Sequence, residues 1–317
     1  SNEAEGYLRA ATRNKRVLVV VDDVWKARDL EPYTCLGREC RVLVTTRSVP
    51  ELRRRLKEVP LGSLEPREAA GLLAAIAAAP AGKLPKAGAE VLSECMGSPL
   101  AVSLVGGWVR IKGGAKAGAG VWAEAAKVMA KRDKAATYGH VSQAMELCSS
   151  GLSKGDLMRY LQLVVYAEDA AIPEASVRRL WAGEGFNQPP VRDASGLLGR
   201  LRAAALLRAD GGCYGLHDLQ HDWLAAREAP RIREHHAALL AAYKPKGGWL
   251  RLADDGYVYR AIGSHFKAAG QIEELRGLLL EHEWMARKIQ YDGAPGLVTD
   301  CNIVLEAEAV AEAVAAG

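Results

Sequence analysis

The stretch Arg16-Val17-Leu18-Val19-Val20-Val21-Asp22-Asp23-Val24-Trp25 decides the fold expected for this chain. Its five consecutive aliphatic residues, four of them valine, are typical of a strand buried on both faces of a parallel sheet. The run ends at Asp22 and Asp23, and open α/β sheets bind ligands outside the carboxyl ends of their strands. The stretch therefore predicts a parallel strand with two carboxylates at the ligand-binding edge of its sheet.

The pattern of an aliphatic strand followed by Asp-Asp matches the Walker-B motif, in which an acid holds the magnesium ion that bridges nucleotide phosphates. A strand that simply ends in a polar turn would look the same. A second run, Val42-Leu43-Val44-Thr45-Thr46-Arg47, follows after about 20 residues, enough for a right-handed crossover to a parallel neighbour. Arg47 would then lie at the same edge, where its planar, permanently charged fork suits a terminal phosphate. An exposed surface arginine is the alternative.

Length and composition indicate a multidomain globular protein. The 317 residues exceed the length that one hydrophobic core usually supports. A composition of 49% hydrophobic and 25% charged residues is ordinary for a globular protein. No apolar run reaches the roughly 18 residues of a membrane span, and residues 1–16 lack a secretory pattern. A net charge of +4 with a pI near 8.7 is too weak a signal to indicate nucleic acid. A cytoplasmic location without membrane contact is expected.

The six cysteines are scattered and form no C-x-x-C pair for zinc or redox chemistry. Cys35 and Cys40 are close enough in sequence to form a disulfide. Reduced thiols are the preferred interpretation, because cytosolic proteins rarely hold disulfides.

Helix signals and breakers organise the rest of the chain. Pro66 suits the first turn of a helix that continues through Ile76, and Gly97-Ser98-Pro99 separates two further helices. Residues 113–120, rich in Gly, Ala and Lys, predict a linker. Beyond it, three helices, including one opened by Ile172-Pro173-Glu174, precede a hairpin around Gly211-Gly212, which predicts a winged helix. The chain beyond Asp218 has a helical pattern.

Four motifs in fixed order resemble those of the NB-ARC ATPases of the signal-transducing STAND class. They are the Walker-B strand 18–25, the sensor strand 42–47, the Gly-Ser-Pro-Leu segment 97–100 and Leu-His-Asp-Leu-Gln at 216–220. The residues of these motifs resemble those of the animal apoptotic branch of the family more than those of the plant resistance branch. The resemblance covers roughly residues 10–300 and is firmer before Leu224.

The resemblance implies a multidomain α/β plus α fold. Residues 1–60 would be the C-terminal part of a P-loop nucleotide-binding domain with a partial parallel sheet, and 61–133 a small helical domain. Residues 134–227 would form a winged-helix domain. Residues 228–317 would form a helical domain that starts a superhelical region.

The resemblance also implies roles for five residues. Asp22 would coordinate magnesium, Asp23 would polarise the attacking water and Arg47 would contact the γ-phosphate of ATP as a sensor. Pro99 would offer an apolar surface to adenine, and His217 would contact the β-phosphate of ADP in the closed state. Without the resemblance, Pro99 is a helix break and His217 a surface residue.

Three further residue-level expectations concern the nucleotide site. Asp218 is expected to cap the following helix in either interpretation. Ala205 stands where the resemblance leads one to expect a serine that reaches ADP. The phosphate-binding motif G-x-x-x-x-G-K-[ST] does not occur in the sequence. A truncation ahead of Walker B is therefore expected, with weak nucleotide binding and no detectable hydrolysis by this chain.

The function that follows from the resemblance is an oligomerisation switch controlled by ADP and ATP, as in an apoptosome- or resistosome-like scaffold. The intact protein would be a magnesium-dependent ATPase that self-associates, with an upstream effector domain and downstream repeats. One alternative is a winged-helix DNA-binding transcription regulator that uses a third helix at residues 190–206. That helix carries Arg192, Arg200 and Arg202, but also Asp193 and a long apolar face. A non-catalytic adaptor is the other alternative.

Overall fold

The computed structural model describes residues 2–24, 26–46, 56–80, 84–113, 117–168, 170–183 and 193–316. Arg47 and Arg192, both singled out from the sequence, lie outside these residues. The chain divides into two compact units, residues 1–62 and 63–317. Both are described below, each by itself. The fold is mostly helical, with one small parallel sheet and one small antiparallel sheet among the described residues.

Unit 1 contains the parallel strand pair expected from the two aliphatic runs. Helix α1 (Asn2–Thr12) precedes strand β1 (Leu18–Val21), and a 3-10 helix (Ala27–Cys35) connects it to strand β2 (Arg41–Val44). The strands pair in parallel, with Leu18 opposite Arg41 and Val21 opposite Val44. The predicted parallel neighbour is confirmed.

The expectation that β1 is buried on both faces was wrong. Leu18 is 63% exposed and Val20 56% exposed, and Leu43 of β2 is 53% exposed on the described chain. The opposite face is partly covered, because the segment after β1 folds back over it. The apolar residues that pack there are Val21, Val24, Ala27, Leu30 and Val44. An uninterrupted valine run fits one covered face or two, so the pattern alone does not separate these cases.

The described part of unit 2 begins with six helices. They are α2 (Pro66–Ile76), α3 (Lys86–Cys95), α4 (Pro99–Gly113), α5 (Ala119–Met129), α6 (Gly139–Ser150) and α7 (Lys154–Leu161). A 3-10 helix (Gln162–Val165) then leads to a mixed segment. That segment consists of β3 (Ile172–Pro173), α8 (Glu174–Ala182), α9 (Ala194–Ala203), β4 (Arg208–Asp210) and β5 (Cys213–Gly215).

The remaining elements of unit 2 are helical, as the sequence predicts beyond Asp218. They are α10 (Asp218–Glu228), α11 (Ile232–Tyr243), α12 (Val258–Ala269), α13 (Ile272–Leu279) and α14 (His282–Ala316), with 3-10 helices at Ala229–Arg231 and Trp249–Arg251. Helix α14 is kinked at Gly293, which has φ 78°.

One local expectation for unit 2 was wrong, and one was incomplete. The linker assigned to residues 113–120 ends earlier, because α5 starts at Ala119 and buries Trp122 and Met129. Its alanine- and glycine-rich start hides the helical period. Ile172-Pro173-Glu174 opens a helix as predicted, since Pro173 is the N-cap of α8 and Glu174 its first residue. Ile172 and Pro173 also form the short strand β3, which pairs with β5 next to the confirmed β4–β5 hairpin around Gly211-Gly212. Such a short strand depends on a partner some 40 residues away, which no local pattern indicates.

One contiguous core runs through unit 2, from Ala69 on α2 to Val304 on α14. It encloses the fully buried indole rings of Trp108, Trp181 and Trp284. The finer domain boundaries at residues 133 and 227 stay predictions. All six cysteines are free thiols, so no disulfide joins Cys35 to Cys40. Across the described residues, no helix combines the length and apolar character needed to cross a bilayer.

Candidate functional site

Thr45 fixes the acidic turn at the carboxyl end of β1. Its hydroxyl donates to Asp22 Oδ1 and accepts the backbone N–H of Asp23 at 2.8 Å. The backbone of Val24 donates to the carbonyl of Thr45 at 2.9 Å, and the Thr46 hydroxyl donates to the carbonyl of Val24 at 2.7 Å. The end of β2 therefore holds the Asp-Asp turn in place.

The two carboxylates of this turn suit a hard divalent cation. Asp22 and Asp23 are both exposed, and carboxylate oxygens are the ligands that Mg²⁺ prefers. Asp23 has φ 52°, a left-handed conformation that aspartate tolerates better than most residues. The donor set fits the magnesium predicted from the sequence. Arg47, the third predicted residue of this edge, lies outside the described residues.

Unit 2 contains a basic cavity of about 360 Å³. Its walls come from α2, α4, the end of α9 with the following turn, and α10. The side chains that decide its chemistry are Leu100, Ser103, Arg110, Arg202, Arg208 and His217. None of its lining residues, all of them described, is acidic. Three guanidinium groups in the cavity lining favour an anionic ligand.

His217 lies where this cavity meets the start of α10. It is the N-cap residue, and its Nδ1 accepts the backbone N–H of Leu219 at 3.3 Å. The backbone N–H of His217 donates to Gln220 Oε1 at 3.0 Å, which completes a capping box. The predicted cap at Asp218 is wrong by one position. Asp218 is the first residue of the helix, where its carboxylate accepts the same Leu219 N–H at 2.8 Å and contacts His217 Nδ1.

Gln220 is a functional candidate that the sequence interpretation missed. While its oxygen holds the backbone of His217, its Nε2 donates to the carbonyl of Ala205 at 2.9 Å. Ala205, with φ 58°, also lines the cavity. One side chain thus links two parts of the cavity wall. The spacing of a capping residue and a glutamine three positions later is a signal that could have indicated it.

Helix α4 supports the same wall from the other side. The Arg110 guanidinium donates to the carbonyl of Ala203, and a Cβ on Gly107 would lie 2.5 Å from the carbonyl carbon of Ala204. Only a glycine therefore lets α4 approach the turn before Ala205 this closely. The turn is held between α4 and α10.

Pro99 is the first residue of α4 and is exposed. Gly97 precedes it with φ 68°, and a Cβ there would lie 2.7 Å from the carbonyl oxygen of Leu64. Ser98 Oγ accepts the N–H of Ala101 at 3.3 Å and starts the helix. Leu100, one residue later, lines the cavity together with His217. The helix that Pro99 begins and the predicted histidine thus meet at one cavity, although Pro99 itself is not among the lining residues.

Comparison with known proteins gives a family match near each end of the chain. Residues 1–80 match the NB-ARC domain family, and residues 233–309 match the APAF-1 helical domain family. The chain is therefore similar to NB-ARC proteins at its N-terminal end and to the APAF-1 helical domain near its C-terminal end.

Among curated proteins, the chain is similar to apoptotic protease-activating factor 1. The protein from Danio rerio is 29% identical over 312 residues, which cover 91% of this chain and 23% of that protein. The Homo sapiens protein is 25% identical over 317 residues, with 93% and 24% covered. The chain thus spans about a quarter of the length of these relatives.

A solved structure from Pyrococcus horikoshii is also similar. It is described as a Signal Transduction ATPase with Numerous Domains protein with a tetratricopeptide repeat sensor. The TM-score is 0.45 at 15% identity, and the match covers 95% of this chain and 44% of that one.

Proposed function

We propose that this chain is the switch region of a signalling protein in which the exchange of ADP for ATP controls self-association. The observation that carries the proposal is the basic cavity of unit 2, with three arginines and His217 around it and no acidic lining residue. A nucleoside diphosphate has the concentrated negative charge that such a set of donors stabilises.

His217 is proposed to donate a hydrogen bond to the β-phosphate. Its Nδ1 accepts the N–H of Leu219 and contacts Asp218 at the start of α10, and an N–H of the imidazole ring would donate to a phosphate oxygen. Arg202 and Arg208 would add charge on the same wall. Pro99 and Leu100, at the start of α4, would present the apolar surface for adenine.

The acidic turn of unit 1 is proposed to serve hydrolysis in the intact protein. Asp22 would hold the magnesium ion, Asp23 would orient water and Arg47 would sense the γ-phosphate. Magnesium would neutralise charge on the transferred phosphoryl group. The contribution of the chain is to keep the Asp22 carboxylate oriented, which the hydroxyl of Thr45 does.

The wider arrangement is part of the same proposal. Residues 134–227 would act as a winged-helix domain whose β4–β5 hairpin and α10 carry the ADP contacts. The intact protein would work in the cytoplasm, with an effector domain upstream and repeat domains downstream.

The DNA-binding alternative has less support from α9. Its Arg200 forms a bidentate ion pair with Asp156, with nitrogen–oxygen distances of 3.1 and 3.3 Å. Arg202 lines the cavity. Guanidinium groups used in this way are poorly placed to read bases. Arg192 lies outside the described residues.

The test is His217→Ala in the intact protein. A charge-assisted hydrogen bond contributes about 1.5–3 kcal/mol, so ADP affinity should fall by one to two orders of magnitude. ATP affinity should fall less, because the contact is proposed for the ADP state, and the self-associating form should gain. Calorimetric titration with each nucleotide and light scattering of the ADP-bound protein measure these effects.

The matched control is His282→Ala, which removes an exposed histidine at the first residue of α14. It should leave ADP affinity and oligomeric state unchanged. If His217→Ala retains ADP and stays as monomeric as the parent, His217 is not a switch residue and the proposed role of the cavity is wrong.

A further inference from the structure

Two buried histidines join helices α11 and α12 through their side chains. His236 Nδ1 lies 2.8 Å from His265 Nδ1, and His265 Nε2 lies 2.8 Å from the hydroxyl of Tyr257. The three side chains form a continuous hydrogen-bonded chain. His265 is 4% exposed, Tyr257 7% and His236 9%.

Only one hydrogen atom can lie between the two Nδ1 atoms. In the neutral state one imidazole donates through Nδ1 and the other accepts. If one proton is added, one of the two rings becomes a buried imidazolium. His265 then carries a hydrogen on Nε2, which points toward the oxygen of Tyr257. A second added proton puts a hydrogen on both Nδ1 atoms, so that two donors face each other.

The groups around the pair do not offer it a carboxylate partner of its own. From α10, His221 contributes to lowering the pKa of His236, and Glu228 is paired with His235 of α11 at 2.6 Å. Ahead of α12, Asp255 accepts from Tyr243 at 2.6 Å and lies 3.7 Å from Arg179 of α8.

Two further elements pack against the pair's surroundings. The ring of Tyr166, which ends the 3-10 helix after α7, packs edge-on against Tyr257. On the α14 side of α12, Asp300 lies beside Gly263 and is paired with Lys288. Each of these acids already has a cationic or hydrogen-bonding partner.

The pKa shifts of both histidines agree with this geometry. Burial lowers the pKa of His236 to about 4, with His235 and His221 adding to the effect. Burial and the neighbouring His236 lower the pKa of His265 to about 3. Both rings are therefore neutral in the folded chain at neutral and mildly acidic pH.

We infer that the His236–His265 pair is an acid-sensitive joint that holds α12 on α11 only while both rings are neutral. Helix α11 also packs against α8, where Ala242 lies beside Gly183, and α12 packs against α14 at Asp300. The joint thus connects the helices before residue 243 to the C-terminal helices α12–α14. Acidification releases α12–α14, without any change in bound nucleotide.

The direction of the pH effect follows from proton binding. With α12 released, the two histidines regain their ordinary pKa of 6.5 and bind protons that the closed state excludes. Above about pH 6.5 the joint does not depend on pH, because neither state is protonated. Below it, the opening constant rises by up to about tenfold per pH unit for each histidine, down to the folded pKa.

The experiment is hydrogen exchange of the 317-residue chain between pH 7.5 and pH 4.5, corrected for the intrinsic exchange rate. The wild-type chain should lose protection of the α12 amides as the pH falls below about 6.5. His236→Asn keeps a group that can donate or accept at the Nδ1 position but does not titrate. Its loss of protection should be smaller by up to about tenfold per pH unit. His282→Asn, an exposed histidine on α14, should behave as wild type.

A second measurement does not depend on any variant. The imidazole nitrogen shifts of the native wild-type chain at pH 5.5 should report two neutral rings at His236 and His265. Titration of either ring near pH 6.5 in the folded chain would overturn the inference. An equal pH slope of α12 protection in wild type and His236→Asn would overturn it as well.

Discussion

At the residue scale, Thr45 holds the candidate magnesium ligands, and we predict that Thr45→Val disturbs them. Valine matches the shape of threonine but loses the hydroxyl that contacts Asp22 and the N–H of Asp23. Each hydrogen bond contributes about 0.5–1.5 kcal/mol, so magnesium-dependent ATP affinity of the intact protein should fall by roughly two- to tenfold. Titration of the nucleotide complex with Mg²⁺ measures this effect. Thr45→Ser should keep most of the affinity, and equal Mg²⁺ dependence in the valine variant would contradict the assignment.

A second residue-scale prediction concerns Lys288, which is fully buried on α14. Its ammonium donates to the carbonyl of Tyr259 and lies 2.9 Å from both Asp292 and Asp300. Lys288→Met leaves the Asp300 carboxylate buried without its cation. Breaking such a pair costs about 3–5 kcal/mol, so the free energy of unfolding in urea should fall by that amount.

The control for Lys288 is Lys267→Met, which removes an exposed lysine paired with Glu306 at 3.0 Å. Exposed pairs contribute about 1 kcal/mol or less, so urea unfolding should hardly change. Equal losses in the two variants would show that burial of Lys288 does not matter to stability.

At the element scale, the packing of α4 against the turn after α9 depends on Gly107. A Cβ at this position would lie 2.5 Å from the carbonyl carbon of Ala204, so Gly107→Ala must push the two elements apart. Overpacking of this kind costs about 1–3 kcal/mol, and the cavity wall at Ala205 should shift with it. Thermal unfolding of the variant measures the loss.

The matched change is Gly199→Ala, in α9, where an added Cβ meets nothing within 4 Å. Alanine is the better helix former by about 0.8–1 kcal/mol, so this variant should unfold at the same or a higher temperature. A Gly107→Ala protein as stable as the parent would mean that α4 and the turn are not in close contact.

At the scale of the whole molecule, the two units differ in how much core they hold. Unit 2 has one apolar core from Ala69 to Val304, whereas the apolar cluster of unit 1 centres on Val24. Small units with little buried surface are marginally stable. We predict that residues 63–317 expressed alone unfold cooperatively in urea, whereas residues 1–62 alone show little helix by circular dichroism. A cooperative transition of the short fragment would contradict this.

Much of the local structure was determined by the sequence alone. The order and parallel pairing of β1 and β2 follow from two aliphatic runs, and the starts of α2 and α4 follow from Pro66 and Pro99. The β4–β5 hairpin follows from Gly211-Gly212. These signals act over a few residues, through strand period, proline geometry and glycine turns, so they can be recognised without the fold.

The assembled cavity and the buried pair were decided only by the tertiary structure. Arg110 reaches the carbonyl of Ala203 across 93 positions of sequence, and His236 meets His265 across 29. No local propensity couples residues this far apart, because their contact depends on how α4, α9, α11 and α12 pack. The exposed face of β1 has the same origin: the valine run specifies a strand, but its neighbours decide how much of it is covered.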